Sequence, residues 1–226
     1  MVLVTPSHQY PLGGCLPVAR RLALLDWARG AEALIIEDDY DSEFRFGAPP
    51  LPALASLDGD GRVAHLGTFS KVLSPWLRVG YLLAPRGLRP ALLAARADLG
   101  APVSGLDQHA LASYLASGAL RRHIARTRRD YAHRHHHLTQ QLAAHPQLQL
   151  RGSRAGLHAV IELPTGSDTT ATLQACARQG FLLADLQHYY AQPQPERRAT
   201  VVLGYGNATL TELSGAITAL AACTNS

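Results

Sequence analysis

The sequence predicts an α/β fold: a mainly parallel sheet with helices on both faces, followed by a small C-terminal α+β domain. Three observations carry this expectation. Short apolar runs at Val2–Val4 and 33–36 flank a helix-patterned segment, and a strand-helix-strand crossover joins parallel strands. Polar residues gather just past the apolar runs, at 6–11, 38–40 and 68–71, where open α/β sheets bind ligands outside their carboxyl ends. After Pro146 the texture changes to shorter alternating strand and helix signals.

Taken in order, Val2–Val4 reads as a short buried strand that runs into a proline-rich turn over 5–14. Pro17 suits the first position of a helix, with Val18, Leu22 and Leu25 on one face and Gly30 at its end. A second strand over 33–36 leads into the acid run 37–43. Residues 63–66 and 79–84 are a third and a fourth strand, the former followed by Gly67, Thr68, Phe69, Ser70 and Lys71. From 107 to about 144 the pattern is helical, broken at Gly118, with Leu120, Ile124, Tyr131, Leu138 and Leu142 on one face. Beyond it come a strand over 159–163, a helix over 170–179, a short run over 181–184 and a strand over 200–205. In the last helix Thr209 and Glu212 are spaced as a capping box, and Leu210, Leu213, Ile217 and Leu220 form its buried stripe. The domains are accordingly set at 1–145 and 146–226.

A chain of 226 residues with 47% hydrophobic content can bury a sizeable core, which excludes disorder and collagen-like repeats. No apolar run reaches the roughly 20 residues of a membrane helix, and the segment after Met1 lacks a signal peptide's charged start and cleavage site. The reading is a soluble, cytoplasmic protein. Cys15, Cys176 and Cys223 are too scattered for a disulfide framework or a metal site and read as reduced, partly buried thiols.

A net charge of +4 is too mild to demand a polyanionic partner. Its make-up says more: of 21 basic residues, 20 are arginine and one is Lys71. Arginine stays protonated at any ordinary pH, whereas a lysine amine can lose its proton and attack a carbonyl to form a Schiff base. Lys71 is therefore the first catalytic candidate. Pyridoxal 5'-phosphate needs an amine for its aldehyde, a carboxylate for its pyridine nitrogen, and hydroxyl and guanidinium donors for its phosphate. Lys71, Asp38, Thr68, Ser70 and Arg78 supply all three kinds.

Three stretches then carry a family resemblance: Thr5-Pro6-Ser7-His8-Gln9-Tyr10-Pro11-Leu12-Gly13; Ile36-Glu37-Asp38-Asp39-Tyr40-Asp41-Ser42-Glu43-Phe44-Arg45; and Gly67-Thr68-Phe69-Ser70-Lys71 with Leu73, Pro75 and Leu77-Arg78-Val79-Gly80. In this order, and followed by Leu203-Gly204-Tyr205-Gly206-Asn207, they resemble the aminotransferase-like domain of MocR-type transcriptional regulators, the GabR- and PdxR-like group of the GntR superfamily. The resemblance implies part of the type I fold of pyridoxal-phosphate-dependent transferases. Carried over by residue, Lys71 matches the lysine that forms the Schiff base, Asp38 the partner of the pyridine nitrogen, and Tyr40 the phenol bonded to the ring oxygen. Thr68, Ser70 and Arg78 match positions around the phosphate. Tyr10 stands where catalytic relatives carry an asparagine, so it is a cofactor contact only. Asp39, Asp41 and Glu43 serve the turn and local ion pairs, and His8 ties down its own turn.

Regulators of this type resemble a winged helix-turn-helix domain joined to a full aminotransferase domain. The expectation is thus a fragment that begins inside the large domain, without the DNA-binding part, the glycine-rich phosphate turn and the aromatic that stacks on the ring. Two functions follow from the resemblance: a homodimeric effector-sensing domain, responding to a small molecule or to pyridoxal phosphate itself and reaching DNA only through the winged-helix part, or a catalytic aminotransferase for an amino acid and a 2-oxo acid. The second needs a substrate-carboxylate arginine just before Leu203, where Val201 and Val202 stand; Arg197 or Arg198 could replace it. Other chemistries are disfavoured. Magnesium would need the acids spaced along a helix, not after the apolar Leu34-Ile35-Ile36. His133, His135, His136 and His137 point in different directions on a helix and read as a solvated face. Arg121, Arg122, Arg126, Arg128, Arg129 and Arg134 read as a charged helix face against another domain or subunit.

Overall fold

The computed structural model describes residues 1–46, 51–100, 103–152, 155–192, 194 and 198–224. They form two compact units, one of Met1–Gln9 with Gly14–Arg128, the other of Tyr10–Gly13 with Arg129–Ser226. The division falls inside a helix rather than after it, and the tip of the first loop goes with the second unit.

The first unit is built on β1 (Val2–Val4), α1 (Val18–Gly30), β2 (Ile35–Asp39), α2 (Leu54–Leu57), β3 (Val63–Thr68), β4 (Gly80–Leu83), α3 (Arg89–Asp98) and α4 (Gly105–Ala116). Strand order is β1-β2-β3-β4. The first three are parallel, with Val4 opposite Glu37 and Asp39 opposite Gly67, while β4 returns antiparallel with Thr68 opposite Gly80. The α/β class and the crossover therefore stand as read from the sequence.

Two details differ. The second strand does not stop at Ile36 but runs through Glu37, Asp38 and Asp39, because the parallel ladder to β3 continues to Gly67. Side chains alternate along a strand, so Glu37 and Asp39 face one way and Asp38 the other. The buried stripe of α1 is also shifted from the expected one: Val18 and Leu22 are exposed, and Arg21, Leu25 and Ala28 are buried. Leu25 and Ala28 pack with Ile35, Leu54 and Val63 into the core of this unit. On the opposite face Leu3 and Leu82 stay exposed, and α3 flanks an apolar groove of about 940 Å³ lined by Leu66, Leu82, Leu92, Leu93 and Leu99.

Gly67 is required where β3 and β4 pair. A Cβ there would lie 2.1 Å from Cζ of Tyr81, its register partner, whose ring packs 5.6 Å from that of Phe69. Gly67→Ala is expected to destabilise the protein by about 1–3 kcal/mol through this overpacking, read as a lower urea midpoint at unchanged slope.

The helix α5 (Ala119–Ala143) follows Gly118, whose φ of +69° breaks the helical run as expected. The second unit adds β5 (Gln149–Arg151), β6 (His158–Glu162), α6 (Thr169–Arg178), β7 (Ala184–Asp185), β8 (Thr200–Gly204) and α7 (Leu210–Cys223). Its sheet is antiparallel throughout in the order β5-β6-β8-β7. The capping box at Thr209 and Glu212 forms in both directions, and Leu213, Ile217 and Leu220 of α7 are buried. Leu210, assigned to the same stripe, is only half-buried at the first helical position.

Among the described residues no helix is long and apolar enough to cross a membrane. Cys176 is buried and Cys15 and Cys223 are half-buried, all three as free thiols. Burial, with Cys223 alongside, pushes the Cys176 thiol up to about 11.

Candidate functional site

Six of the seven residues singled out in the sequence lie in the first unit, at one end of its sheet. Asp38 and Thr68 are near the carboxyl ends of β2 and β3, on neighbouring strands and on the same face, since Asp38 pairs with Leu66 and Thr68 comes two residues later. Beyond Thr68 the chain turns sharply: Phe69 donates its N–H to Val79 O at 3.0 Å, and Leu73 and Ser74 both donate back to Phe69 O. The Phe69–Val79 contact makes Ser70 and Arg78 neighbours across the closed end of the β3–β4 connection. Thr68 Oγ1 accepts from Ser70 N at 3.1 Å, which fixes the start of this turn. Arg78 adopts a left-handed conformation, φ 52°, that lets the chain re-enter the sheet. Lys71 and Arg78 are exposed; Asp38, Tyr40, Thr68 and Ser70 are half-buried.

Burial lifts the Asp38 carboxyl above its ordinary range, the nearby Asp41 charge lifts it further, and His65 opposes both. This carboxylate is thus short of a cation. Asp39 is lifted by burial and held by Ser42, whose Oγ donates at 2.7 Å and whose N–H donates at 3.3 Å. Asp41 is buried and bonded to His8 at 2.7 Å. The acids beside Asp38 therefore serve turns and local pairs, and no group of three metal-ligating side chains occurs among the described residues.

Beneath this edge lies a pair that sequence reading did not single out. Glu37, fully buried on the face opposite Asp38, accepts from Leu54 N at 2.7 Å, Ala55 N at 3.0 Å and His65 Nδ1 at 2.9 Å. Glu37 and His65 are direct register partners on β2 and β3. Arg21 is the other unanticipated residue: fully buried, it donates from Nε to Leu16 O, from one terminal nitrogen to Pro52 O and from the other to Pro6 O, at 2.6–2.8 Å. Its signal in the sequence was its place one turn before Leu25 and two before Ala28, a core position that its charge disguises.

Tyr10 is not among the residues that the first unit gathers. It belongs to the second unit, where its ring meets His158 edge-on at 4.7 Å and its hydroxyl lies 2.9 Å from that of Tyr189. His158 Nε2 donates to Pro11 O at 2.7 Å and so anchors the same loop tip. Burial, followed by the Tyr189 hydrogen bond, pushes the Tyr10 phenol up to about 12, so it stays neutral at any working pH.

The second unit also shows what occupies the position before Leu203. Val201 and Val202 are both buried, and Val202 packs with Val160 and Leu186. Arg198 donates to Glu162 at 2.6 Å, and Arg151 to the same carboxylate at 2.8 Å; Arg197 lies outside the described residues. The histidine run is not wholly solvated, as the sequence suggested. His137 Nε2 meets Ser214 Oγ at 2.8 Å and His135 packs on Tyr205 at 5.9 Å, while His133 and His136 are exposed. In the arginine run, Arg128 donates to Glu43 O at 2.8 Å and Arg134 donates to Gly206 O.

No family model matches the chain. It is 46% identical over 206 residues to the HTH-type pyridoxine biosynthesis transcriptional regulator PdxR of Corynebacterium glutamicum, which covers 91% of this chain and 44% of the regulator. It is 34% identical over 207 residues to the probable rhizopine catabolism regulatory protein MocR of Rhizobium meliloti, covering 91% and 42%. The chain thus spans under half the length of these curated relatives. Among solved structures, the kynurenine aminotransferase of Pyrococcus horikoshii superposes with a TM-score of 0.87 at 25% identity, over 99% of this chain and 56% of that one. LysN of Thermus thermophilus, an α-aminoadipate aminotransferase, does so with a TM-score of 0.84 at 27% identity, over 99% and 58%. The former was solved with PMP and the latter with a phosphopyridoxyl-leucine adduct. The chain is therefore homologous to transcriptional regulators of the MocR and PdxR type, and the part of them that it matches has the aminotransferase fold.

Proposed function

We propose that this chain is the effector-sensing, aminotransferase-like part of a MocR-type transcriptional regulator, and that it holds pyridoxal 5'-phosphate at the sheet edge of its first unit. The observation that carries the reading is the convergence of the only lysine with Thr68, Ser70 and Arg78 in one turn, on the sheet edge where Asp38 stands. The donor set fits the group. Asp38, short of a cation, takes the ring N–H; Tyr40 takes the ring oxygen; Thr68, Ser70 and Arg78 hold the phosphate; and Lys71 offers its amine to the aldehyde. When bound, the cofactor supplies a carbonyl for an amine and a ring that draws electrons away from it. The full-length protein is a cytoplasmic homodimer that answers to a small amino compound or to pyridoxal phosphate itself and meets DNA through a winged-helix part.

Sensing rather than turnover is favoured by the second unit. An amino-acid carboxylate that meets Val202 instead of a guanidinium forgoes a charge-assisted hydrogen bond of about 1.5–3 kcal/mol, and Arg198 is already committed to Glu162. Borohydride reduction of the full-length protein with pyridoxal phosphate, followed by peptide mass mapping, is expected to place the adduct on Lys71 and to find none in Lys71→Arg. An adduct spread over other amines would refute the site. Mixing the same protein with amino acids and 2-oxo acids is expected to give negligible conversion to the pyridoxamine form, whereas rapid multiple turnovers would favour the aminotransferase reading.

A further inference from the structure

His8 and Asp41 form a buried dyad inside the first unit. Asp41 Oδ2 lies 2.7 Å from His8 Nδ1, and each side chain is 2% exposed. The second carboxylate oxygen, Asp41 Oδ1, is buried with no hydrogen-bond partner among the described residues, so the carboxylate depends on the imidazole for its hydrogen bonding. A carboxylate only accepts, and therefore Nδ1 carries the proton whether the ring is neutral or charged. Tyr40 places its hydroxyl oxygen 3.2 Å from the same Nδ1. A nitrogen that bears a proton cannot accept one, so in this fork the phenol oxygen is an acceptor and the phenol's own proton goes to a different group. The dyad thus touches one of the two residues assigned to the cofactor ring, Tyr40, and through the Asp41 charge it acts on the other, Asp38.

We propose that His8 and Asp41 are positioning residues for Tyr40: the carboxylate fixes the proton on Nδ1, where it is shared in a three-centre hydrogen bond between Asp41 at 2.7 Å and the phenol oxygen at 3.2 Å, which leaves Tyr40 as a hydrogen-bond donor to the ring oxygen of the cofactor. This rests on the pyridoxal phosphate reading above. It also gives a chemical reason for His8 and Asp41 to stand in two separate motifs, 33 residues apart.

The dyad is tested without cofactor, by long-range ¹H–¹⁵N correlation on the chain. His8 Nδ1 is expected to show the shift of a proton-bearing nitrogen, and a pyridine-type Nδ1 would overturn the proposal. The effect on Tyr40 is tested in full-length protein loaded with pyridoxal phosphate, by the ratio of its visible to near-ultraviolet bands at fixed pH. His8→Leu and Tyr40→Phe are each expected to change that ratio about twofold or more, and the double variant to go no further than Tyr40→Phe alone, since residues of one hydrogen-bond network are non-additive. His8→Asn, which retains a donor close to the position of Nδ1, is expected to keep the wild-type ratio. A ratio unmoved by His8→Leu, or additive effects, would refute the positioning role even where the Lys71 adduct forms. A missing Lys71 adduct would instead refute the cofactor reading and the role given to Tyr40, with the His8 nitrogen shift still reporting on the dyad.

Discussion

Replacing Glu37 with leucine is expected to cost the protein about 3–5 kcal/mol, the range for breaking a buried pair by removing one partner. Glu37 accepts three hydrogen bonds at zero exposure, and leucine would strand the N–H groups of Leu54 and Ala55 and the His65 ring together. Urea denaturation followed by circular dichroism measures it; a loss below about 1 kcal/mol would show that water replaces the carboxylate. The same pair sets a pH dependence. Burial alone would push the Glu37 carboxyl up, but the hydrogen bonds from His65, Ala55 and Leu54 outweigh it and leave the group below its ordinary 4.5. The hydrogen bond to Glu37 holds His65 above its ordinary 6.5 against the opposing effect of burial, with the charges of Glu37, Asp39 and Glu43 adding to it. A depressed carboxyl contributes stability that is present above its unfolded pKa and is lost as pH falls through the folded value. A raised imidazole contributes stability that is full below its unfolded pKa and is lost as pH rises through the folded value. The pair's contribution is therefore greatest between about 4.5 and 6.5 and declines on both sides. His65→Gln is expected to remove the alkaline decline, read as the difference between the two proteins' stability curves from pH 5 to 9; identical slopes would show that His65 is neutral throughout.

Arg21→Met is expected to destabilise by about 2–6 kcal/mol, because the carbonyls of Leu16 and Pro52 lose the guanidinium donor while Pro6 O keeps only Leu16 N, and each unsatisfied group costs about 1–3 kcal/mol. Methionine preserves the packing of the stem, so the loss reports the guanidinium itself. The consequence reaches the first motif. Arg21 binds Pro6 O and Leu16 O, and Leu16 N donates to Pro6 O at 2.8 Å, which closes the base of the loop that carries His8 and Tyr10. Amide exchange in Ser7–Gly14 is expected to quicken in Arg21→Met by more than in Leu25→Ala, a core change of similar cost that leaves the loop base intact. Equal exchange in both variants would mean that the loop is held by its own turn. Arg21→Lys is expected to recover less than half of the loss, since a lysine ammonium on a flexible stem cannot reproduce the fixed fork of a guanidinium.

The β-α-β crossover, the capping box at Thr209 and Glu212, the break at Gly118, the strands of the first sheet and β6 and β8 of the second were legible in the sequence, because periodicity, capping and glycine conformation are local properties of the chain. The three-residue β5 and two-residue β7 are too short to show a period and were missed or met only at one end. The motifs around Asp38, Thr68 and Lys71 were legible for a related reason: strands of a parallel sheet end at one edge, so polar residues that follow apolar runs are brought together by topology alone. Within the acid run, Asp38 was separated from Asp39, Asp41 and Glu43, but the burial of Glu37 was not legible. With the strand read as ending at Ile36, nothing assigned Glu37 a face; in the folded protein the ladder to β3 carries the strand to Asp39, and alternation then buries Glu37 beneath the sheet while leaving Asp38 on the face of Thr68. Arg21 was hidden by a similar cause, since its core position shows only when three carbonyls from Pro6, Leu16 and Pro52 meet around it. Tyr10 was read as a cofactor contact from the resemblance alone, at the position where catalytic relatives carry an asparagine, and it packs on His158 and Tyr189 in the second unit. Local sequence set the elements and their ends, and tertiary contacts between residues far apart in the chain decided which charges are buried, which partner each one has, and which face each side chain serves.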